Sequence, residues 1–206
     1  MRLTSRITAL TAAAVAATLL LAGCGSSSTS GETPASPAAA SGAVAAAGSE
    51  ADITFAQLMI PHHEQAVQMA DMALQQASSQ EVIDLATQIK GAQDPEIAQM
   101  RGWLEQWGAP EQMDGADGMD HGGMDMGGQT AAGMMSDQDM GALMDASGPE
   151  FDQMWLAMMI AHHKGAIEMA EQVRAESTNP EVTALADAIV AGQTTEIDTM
   201  QQLLEQ

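Results

Sequence analysis

The sequence predicts an all-α protein, a four-helix bundle made of two copies of one helical hairpin. Three observations indicate this fold class. Apolar residues recur at helical spacing through four long segments, and helix-capping residues stand where these segments begin. The second pair of segments repeats the first at a constant offset of 100 positions. Short turns within each pair and a long connection between the pairs are typical of a four-helix bundle.

The repeat is clearest in one stretch that carries paired histidines. Residues 59–70 return as residues 159–170, and these two stretches hold four of the five histidines of the chain. The similarity extends further, because ten more residues of the first copy recur unchanged at the same offset. These are Glu81, Val82, Leu85, Ala86, Ile89, Gln93, Glu96, Ile97, Met100 and Leu104. We therefore interpret the chain as a duplicated hairpin whose paired histidines are the candidate functional centre.

The first hairpin, residues 49–108, has recognisable helix ends. Ser49 is followed three residues later by Asp52, which resembles a capping box, so a helix should run from there to about residue 77. Ser79 should cap the second helix, and Gly108 should end it.

Two prolines fall inside these predicted helices. Proline lacks the backbone donor and clashes with the preceding turn. We therefore expect Pro61 to kink the first helix and Pro95 to break the second.

The second hairpin, residues 149–206, repeats this pattern. Pro149 should open the third long helix. Asn179 offers a cap and Pro180 a first helical residue, so the fourth helix should run from there to the C-terminus.

The N-terminus resembles a bacterial lipoprotein signal. Residues 1–23 carry Arg2 and Arg6 near their start, continue as an apolar run too short to span a bilayer comfortably, and end in a lipobox-like sequence before Cys24. We expect Cys24 to carry lipid; the alternative is a stray free thiol. Residues 24–48, rich in Ser, Ala and Gly, should form a flexible tether to the extracytoplasmic face of the cell membrane.

Composition narrows the class of partner. Without residues 1–23 the chain would keep four basic and 28 acidic residues, a net charge near −24. Such a field makes nucleic acid a poor partner and cations a good one. Methionine is the sharper anomaly, with 18 in the chain against two Phe and no Tyr.

The paired histidines and nearby methionines are candidate metal ligands. Residues four or seven apart lie on one helix face, which places a methionine beside each pair. Symmetric pairing of the hairpins would bring the two pairs together. The candidate ligands are His62, His63, Met59, Met69, His162, His163, Met159 and Met169.

Imidazole and thioether together favour copper among common envelope metals, since sulfur suits Cu(I) and nitrogen suits either oxidation state. Zinc prefers Cys, His and carboxylate. The alternative is that these are hydrogen-bonded core histidines with methionine as core filler.

The second helices carry polar residues on their inward stripe. Buried carboxylates are costly unless they are paired or bound to a cation. These groups could ligate the metal, hold the imidazoles in place, or lie at an exposed edge; we favour the second role. The residues at this level are Gln93, Glu96, Met100, Gln193, Glu196 and Met200.

The hairpins are joined by an insert, residues 109–148. It ends in a short helix that Ser136 should cap and that should stop near residue 147. Its earlier part is rich in Met, Asp and Gly and is either a flexible tract that captures soft cations or a disordered linker. The candidate ligands of this tract are Met113, Met119, His121, Met124 and Met126.

Both copies of the pattern His-His-x-x-Ala-x-x-Met-Ala, together with residues 133–140, resemble the family called domain of unknown function 305. This family includes CopM-type copper-binding proteins of the cell envelope. The resemblance implies a ferritin-like four-helix fold and metal binding, with copper as the ion, in copper or silver tolerance. It places that role on His62, His63, Met69, His162, His163 and Met169.

Three functional hypotheses follow. The leading one is a lipid-anchored protein that sequesters copper or hands it on, with no enzymatic activity. The second is a metal-dependent ferritin-like oxidase, which the missing Glu-x-x-His motif and the lack of Tyr argue against. The third is a structural envelope bundle that binds a protein partner. The sequence does not identify such a partner.

Overall fold

The computed structural model describes residues 48–112 and 132–206. The predicted signal segment, Cys24, the predicted tether up to residue 47 and the candidate ligands of the Met-rich tract lie outside these described residues. Within them the chain forms five α-helices and no strand, and none of these helices is long and apolar enough to cross a membrane. The helices are α1 (Glu50–Gln76), α2 (Gln80–Trp107), α3 (Asp137–Asp145), α4 (Gly148–Glu176) and α5 (Pro180–Leu204).

The helix ends confirm the capping pattern read from the sequence. Ser49 and Asp52 form a reciprocal capping box at the start of α1, and Ser136 forms another at the start of α3. The Ser79 hydroxyl accepts from the backbone of α2. Gly108 closes α2 with φ of 68°, a left-handed conformation that glycine adopts without strain.

The prediction that Pro95 breaks a helix is wrong. Both α1 and α2 continue through their prolines, Pro61 and Pro95. Each proline leaves one carbonyl without its helical donor, but helical residues on both sides are buried in the bundle. The second hairpin has Ala161 and Thr195 at the same positions and is helical there as well. Packing of the whole helix therefore outweighs the local cost of proline.

The helices form the predicted ferritin-like four-helix bundle of two duplicated hairpins. α1 packs on α2, α4 packs on α5, and the hairpins meet chiefly through α1 and α4. The N-terminal half of α1 shares its apolar contacts with the C-terminal half of α4, so these two helices run antiparallel. This arrangement relates the hairpins by an approximate twofold axis between α1 and α4.

The interior contains two apolar clusters. The Phe55 cluster is built from residues 55–60 of α1, 97–104 of α2, 166–173 of α4 and 182–189 of α5.

The Phe151 cluster is built from residues 66–73 of α1, 82–89 of α2 and 151–159 of α4, with contributions from α3 and α5. Every long helix therefore switches cluster partway along its length, and the residues skipped at the switch are polar.

Candidate metal centre

A buried polar layer lies where the helices pass from one apolar cluster to the other. Each long helix contributes two side chains to it, and seven of the eight residues are buried. Glu96 is the exception, with its side chain 21% exposed. The layer consists of His62, His63, Gln93, Glu96, His162, His163, Gln193 and Glu196. Helical periodicity explains the placement, because these positions continue the inward stripe of each helix.

The two histidine pairs meet at the centre of this layer, as the duplication predicts. The ring centroids of His62 and His162 are 3.7 Å apart, with planes tilted by 38°. Within each pair the centroids are 6.5 Å apart, so His63 and His163 flank the central rings. All four histidines are 0% exposed.

The outer histidines are held by carboxylates from the second helices. His63 Nε2 donates to Glu96 Oε2 at 2.8 Å, and His163 Nε2 donates to Glu196 Oε2 at 2.8 Å. A carboxylate can only accept, so each neutral ring carries its hydrogen on Nε2 and a lone pair on Nδ1. Glu96 and Glu196 thus each fix the orientation of one outer imidazole.

The central histidines have fewer partners. His62 Nε2 donates to the Ala132 carbonyl oxygen at 3.0 Å, which again leaves a lone pair on Nδ1. Neither ring nitrogen of His162 has a partner.

Unpartnered buried atoms therefore concentrate at this layer. Of nine such side-chain nitrogen and oxygen atoms in the described ranges, eight belong to it, five of them on histidines and three on Gln93 and Gln193. Buried polar atoms are nearly always paired, so this concentration needs a chemical reason.

The central rings are held neutral. Burial, followed by the proximity of His63, lowers the pKa of His62 from 6.5 to about 3. Burial, followed by the proximity of His62, lowers the pKa of His162 to about 2. Both rings therefore present lone pairs, the form that metal ligation requires, at any pH near neutrality.

The donor set suits a soft ion better than a hard one. In residues 48–112 and 132–206, no three His, Cys, Asp or Glu side chains are placed to hold a metal ion together. Cu(I) and Ag(I) bind imidazole nitrogen and thioether sulfur. The imidazole nitrogens of the layer are therefore donors of a type that a soft cation accepts.

The candidate methionines lie in the apolar regions on either side of the layer. Five are fully buried: Met59 and Met100 in the Phe55 cluster, and Met69, Met159 and Met200 in the Phe151 cluster. Met169 departs from its counterpart Met69, because it is only partly buried and lines a surface groove between α1 and α4.

A short non-helical segment, Ala132–Met135, packs on the bundle at the level of the histidines; we call it the strap. Its Ala132 carbonyl accepts from His62, as described above. Gln65 holds its other end, since the Gln65 Oε1 accepts from Met135 N at 2.7 Å and its Nε2 donates to Met135 O at 2.9 Å. The strap also lies against the backbone of α4 at Gly165, where a Cβ atom would overlap the Ala132 carbonyl.

Gln65, Gly165 and Ala132 are site residues that the sequence reasoning missed. One signal was available, because Gln65 and Gly165 occupy equivalent positions of the repeat yet differ sharply in type. The contact of Ala132 with His62 joins residues 70 positions apart and has no periodic signature.

Comparison with known proteins identifies the family of the chain. The family model of DUF305, a domain of unknown function, matches residues 52–204. A DUF305 protein from Streptomyces coelicolor is 31% identical over 75% of this chain and 92% of its own, with a TM-score of 0.67. No curated protein matches the chain.

CopM in its Cu(II)-bound form is also similar, with 34% identity over 75% of this chain and 95% of its own and a TM-score of 0.62. CopM in its Cu(I)-bound form matches over the same shares at 32% identity and a TM-score of 0.59. It has been solved with Ag bound as well. The family match spans both hairpins and the insert between them, and the chain therefore belongs to the DUF305 family.

Proposed function

We propose that the protein binds copper outside the cytoplasm and either sequesters it or hands it on in metal tolerance, with silver as a second cargo. A lipid on Cys24 would anchor it to the extracytoplasmic face of the cell membrane. The observation that carries this proposal is the set of unpartnered imidazole nitrogens in the buried polar layer. A bound cation would satisfy these lone pairs where no protein donor does.

The histidines would act as nitrogen ligands, and Glu96 and Glu196 would keep the outer rings in one tautomer. Methionine sulfur from the adjoining clusters would complete the donor set for Cu(I). The similarity to CopM supports the choice of ion, because structures of that protein contain Cu(I), Cu(II) or Ag. The Met-rich tract would add weaker capture sites.

The test is metal titration of the full-length protein, purified from its native envelope, with Cu(I), Cu(II), Ag(I) and Zn(II). Replacing His62 and His63 by Gln keeps polarity and approximate bulk but removes the imidazole nitrogens. We expect copper affinity to fall at least tenfold, as for the loss of one ligand-binding group. The apo protein should lose only a modest part of its stability. His121→Gln, outside the layer, is the control and should leave tight binding intact.

Intact copper affinity in the double variant, together with a badly destabilised apo protein, would contradict the proposal. The histidines would then be packing residues, with buried water as the partner of their nitrogens. Deleting residues 114–128 separately tests the tract. The number of bound ions should fall while the tight site remains; an unchanged number would reduce the tract to a linker.

A further inference from the structure

We infer that the strap, Ala132–Met135, is the movable cover of the histidine layer, and that Gln65 is its latch. The inference rests on the proposed function in one respect, namely that the solute passing under the cover is a soft cation. The first observation behind it is enclosure. His62 and His162 are 0% exposed, so nothing in solution can reach their nitrogens unless some packed element moves.

The strap is the element whose attachments best suit such movement. The long helices are held by backbone hydrogen bonds along each helix and by side chains buried in both apolar clusters. The strap is not helical, its residues are only partly buried, and of these only Met135 packs against an apolar cluster, the Phe151 cluster. Its hydrogen bonds to the bundle come from the side chains of Gln65 and His62. Segments with few buried contacts and few backbone hydrogen bonds open at the lowest free energy.

The strap also touches the site itself. The Ala132 carbonyl takes the Nε2 hydrogen of His62, one of the two central rings. Lifting the strap therefore exposes the layer and frees that nitrogen at the same time. Its position fixes the tautomer of His62 while it is closed, leaving Nδ1 as the ligand nitrogen.

The sequence has adapted to the strap on both hairpins. In the first copy of the repeat, the Gln65 side chain hydrogen-bonds both backbone groups of Met135. At the equivalent position 165 the second copy carries glycine, and the Cβ of any other residue would overlap Ala132. Gly133 has φ of 80° and lies against the carbonyl oxygens of Ala161 and His162. Two glycines thus allow the two backbones to approach closely.

Two variants test the cover. Gln65→Ala removes both hydrogen bonds of the latch. Gly165→Ala wedges the strap away from α4. Their matched controls are Gln75→Ala, whose amide bonds only to its own helix, and Gly102→Ala, where a Cβ meets nothing within 4 Å. Two net hydrogen bonds correspond to roughly a tenfold change in the ratio of closed to open strap.

The first readout uses the full-length apo protein. Modification of His62 and His162 by diethyl pyrocarbonate, followed by mass spectrometry, should be roughly tenfold faster in Gln65→Ala than in wild type. Hydrogen exchange at the Met135 amide should accelerate by a similar factor. Gln75→Ala and Gly102→Ala should match wild type. If Gly165→Ala fails to fold, Gln65→Ala decides alone.

The second readout is the rate of Cu(I) uptake and release in stopped flow, which should rise in both strap variants. Unchanged histidine modification in Gln65→Ala overturns the inference, whatever the metal does. An equal increase in the rate of histidine modification in Gln75→Ala also overturns the inference, since it would reflect general loosening of α1. Faster histidine modification without any Cu(I) binding keeps the strap as the cover and instead contradicts the proposed function.

Discussion

Gln65 and Gly165 occupy the same position of the two repeats, and both are shaped by contact with the strap. Gln65 bonds the two backbone groups of Met135, while Gly165 leaves room for the Ala132 carbonyl. A single strap crosses a bundle with approximate twofold symmetry, so the two equivalent positions cannot be identical. One hairpin must hydrogen-bond the strap, and the other must leave space for its backbone. The insert between the hairpins therefore breaks the symmetry of a site that the duplication would otherwise make symmetric.

This relationship predicts opposite effects for two glycine replacements. Gly102→Ala in α2 should stabilise the apo protein by roughly 0.5–1 kcal/mol, because alanine is the better helix former and its Cβ meets nothing. Gly165→Ala should destabilise it by roughly 1–3 kcal/mol, the range for overpacking, despite the same gain in helix propensity. Urea unfolding of the two variants measures both. Stabilisation by both replacements would mean that the strap contributes nothing to the fold.

Asp52 and Asp152 also occupy equivalent positions of the repeat, and their hydrogen bonds differ as well. Asp152 Oδ1 accepts from Ser78 N at 3.0 Å, and its Oδ2 accepts from Ser79 N at 2.9 Å and from the Ser78 hydroxyl. It thereby ties α4 to the turn between α1 and α2. Asp52 accepts from Ser49 N through Oδ2 alone, and its Oδ1 has no partner.

Asparagine at these positions should therefore have different effects. Either orientation of the amide in Asp152→Asn places its NH₂ group against a backbone N–H. We expect a loss of about 2–3 kcal/mol, the range for charged hydrogen bonds. In Asp52→Asn the NH₂ group can take the free side, so the loss should stay below about 1 kcal/mol. Chemical denaturation gives both values; equal losses would show that the donors around Asp152 are unimportant.

The long helices were predictable because local signals and the repeat agreed. Ser49, Ser79, Ser136 and Asn179 all cap helices as expected, and the offset alone placed the two histidine pairs face to face. These features depend on spacing within one helix or on exact duplication. Both are visible in the chain.

The features that the sequence did not predict depend on contacts between segments far apart in the chain. Pro95 was expected to break α2, but a helix packed along its whole length tolerates one missing donor. The strap was not predicted, because its contacts with Gln65 and His62 span 70 positions and follow no period. The unequal burial of Met69 and Met169 was not predicted either, since both residues stand in the same Ala-x-x-Met-Ala pattern.

The lowered pKa values of His62 and His162 predict how stability depends on pH. In the unfolded chain these rings gain protons near pH 6.5, whereas the folded protein resists protonation until about pH 3 and pH 2. The unfolded state therefore binds more protons between these limits. The stability that these two neutral rings contribute is fully present above pH 6.5 and is lost as the pH decreases toward 3. The loss at pH 5 should be on the order of 2 kcal/mol for each ring.

The measurement compares urea unfolding of the apo protein at pH 7.5 and pH 5. A variant with both His62→Gln and His162→Gln should lose much less stability between these two values than wild type, because glutamine does not titrate. An identical pH dependence in the two proteins would show that the central rings can be protonated without unfolding.

The location of the protein is tested at Cys24. The apolar run before this residue and the lipobox-like sequence predict lipid attachment. The wild-type protein should partition with membranes, and Cys24→Ser should lose its lipid and be released. Mass spectrometry of the N-terminal peptide and membrane fractionation give the result. A Cys24→Ser protein that stays lipidated and membrane-bound would refute this reading of the N-terminus.

The carboxylates of the layer offer the sharpest test of metal ligation. Glu96→Gln and Glu196→Gln keep an oxygen that can accept from histidine Nε2 but remove the negative charge that makes the ring a stronger ligand. We expect copper affinity to fall roughly 10- to 100-fold, as for other groups that orient ligating histidines. The fall should be larger for Glu196, whose side chain is 7% exposed against 21% for Glu96, because water screens the more exposed charge.

Glu168→Gln removes the same charge from the exposed face of α4 and controls for the overall field. Competition with a Cu(I) chelator measures the affinities, and ¹⁵N chemical shifts of the imidazoles report whether the tautomers persist. If affinity is unchanged in both variants, or falls equally in Glu168→Gln, the outer histidines do not ligate the ion and the carboxylates serve only to pair them.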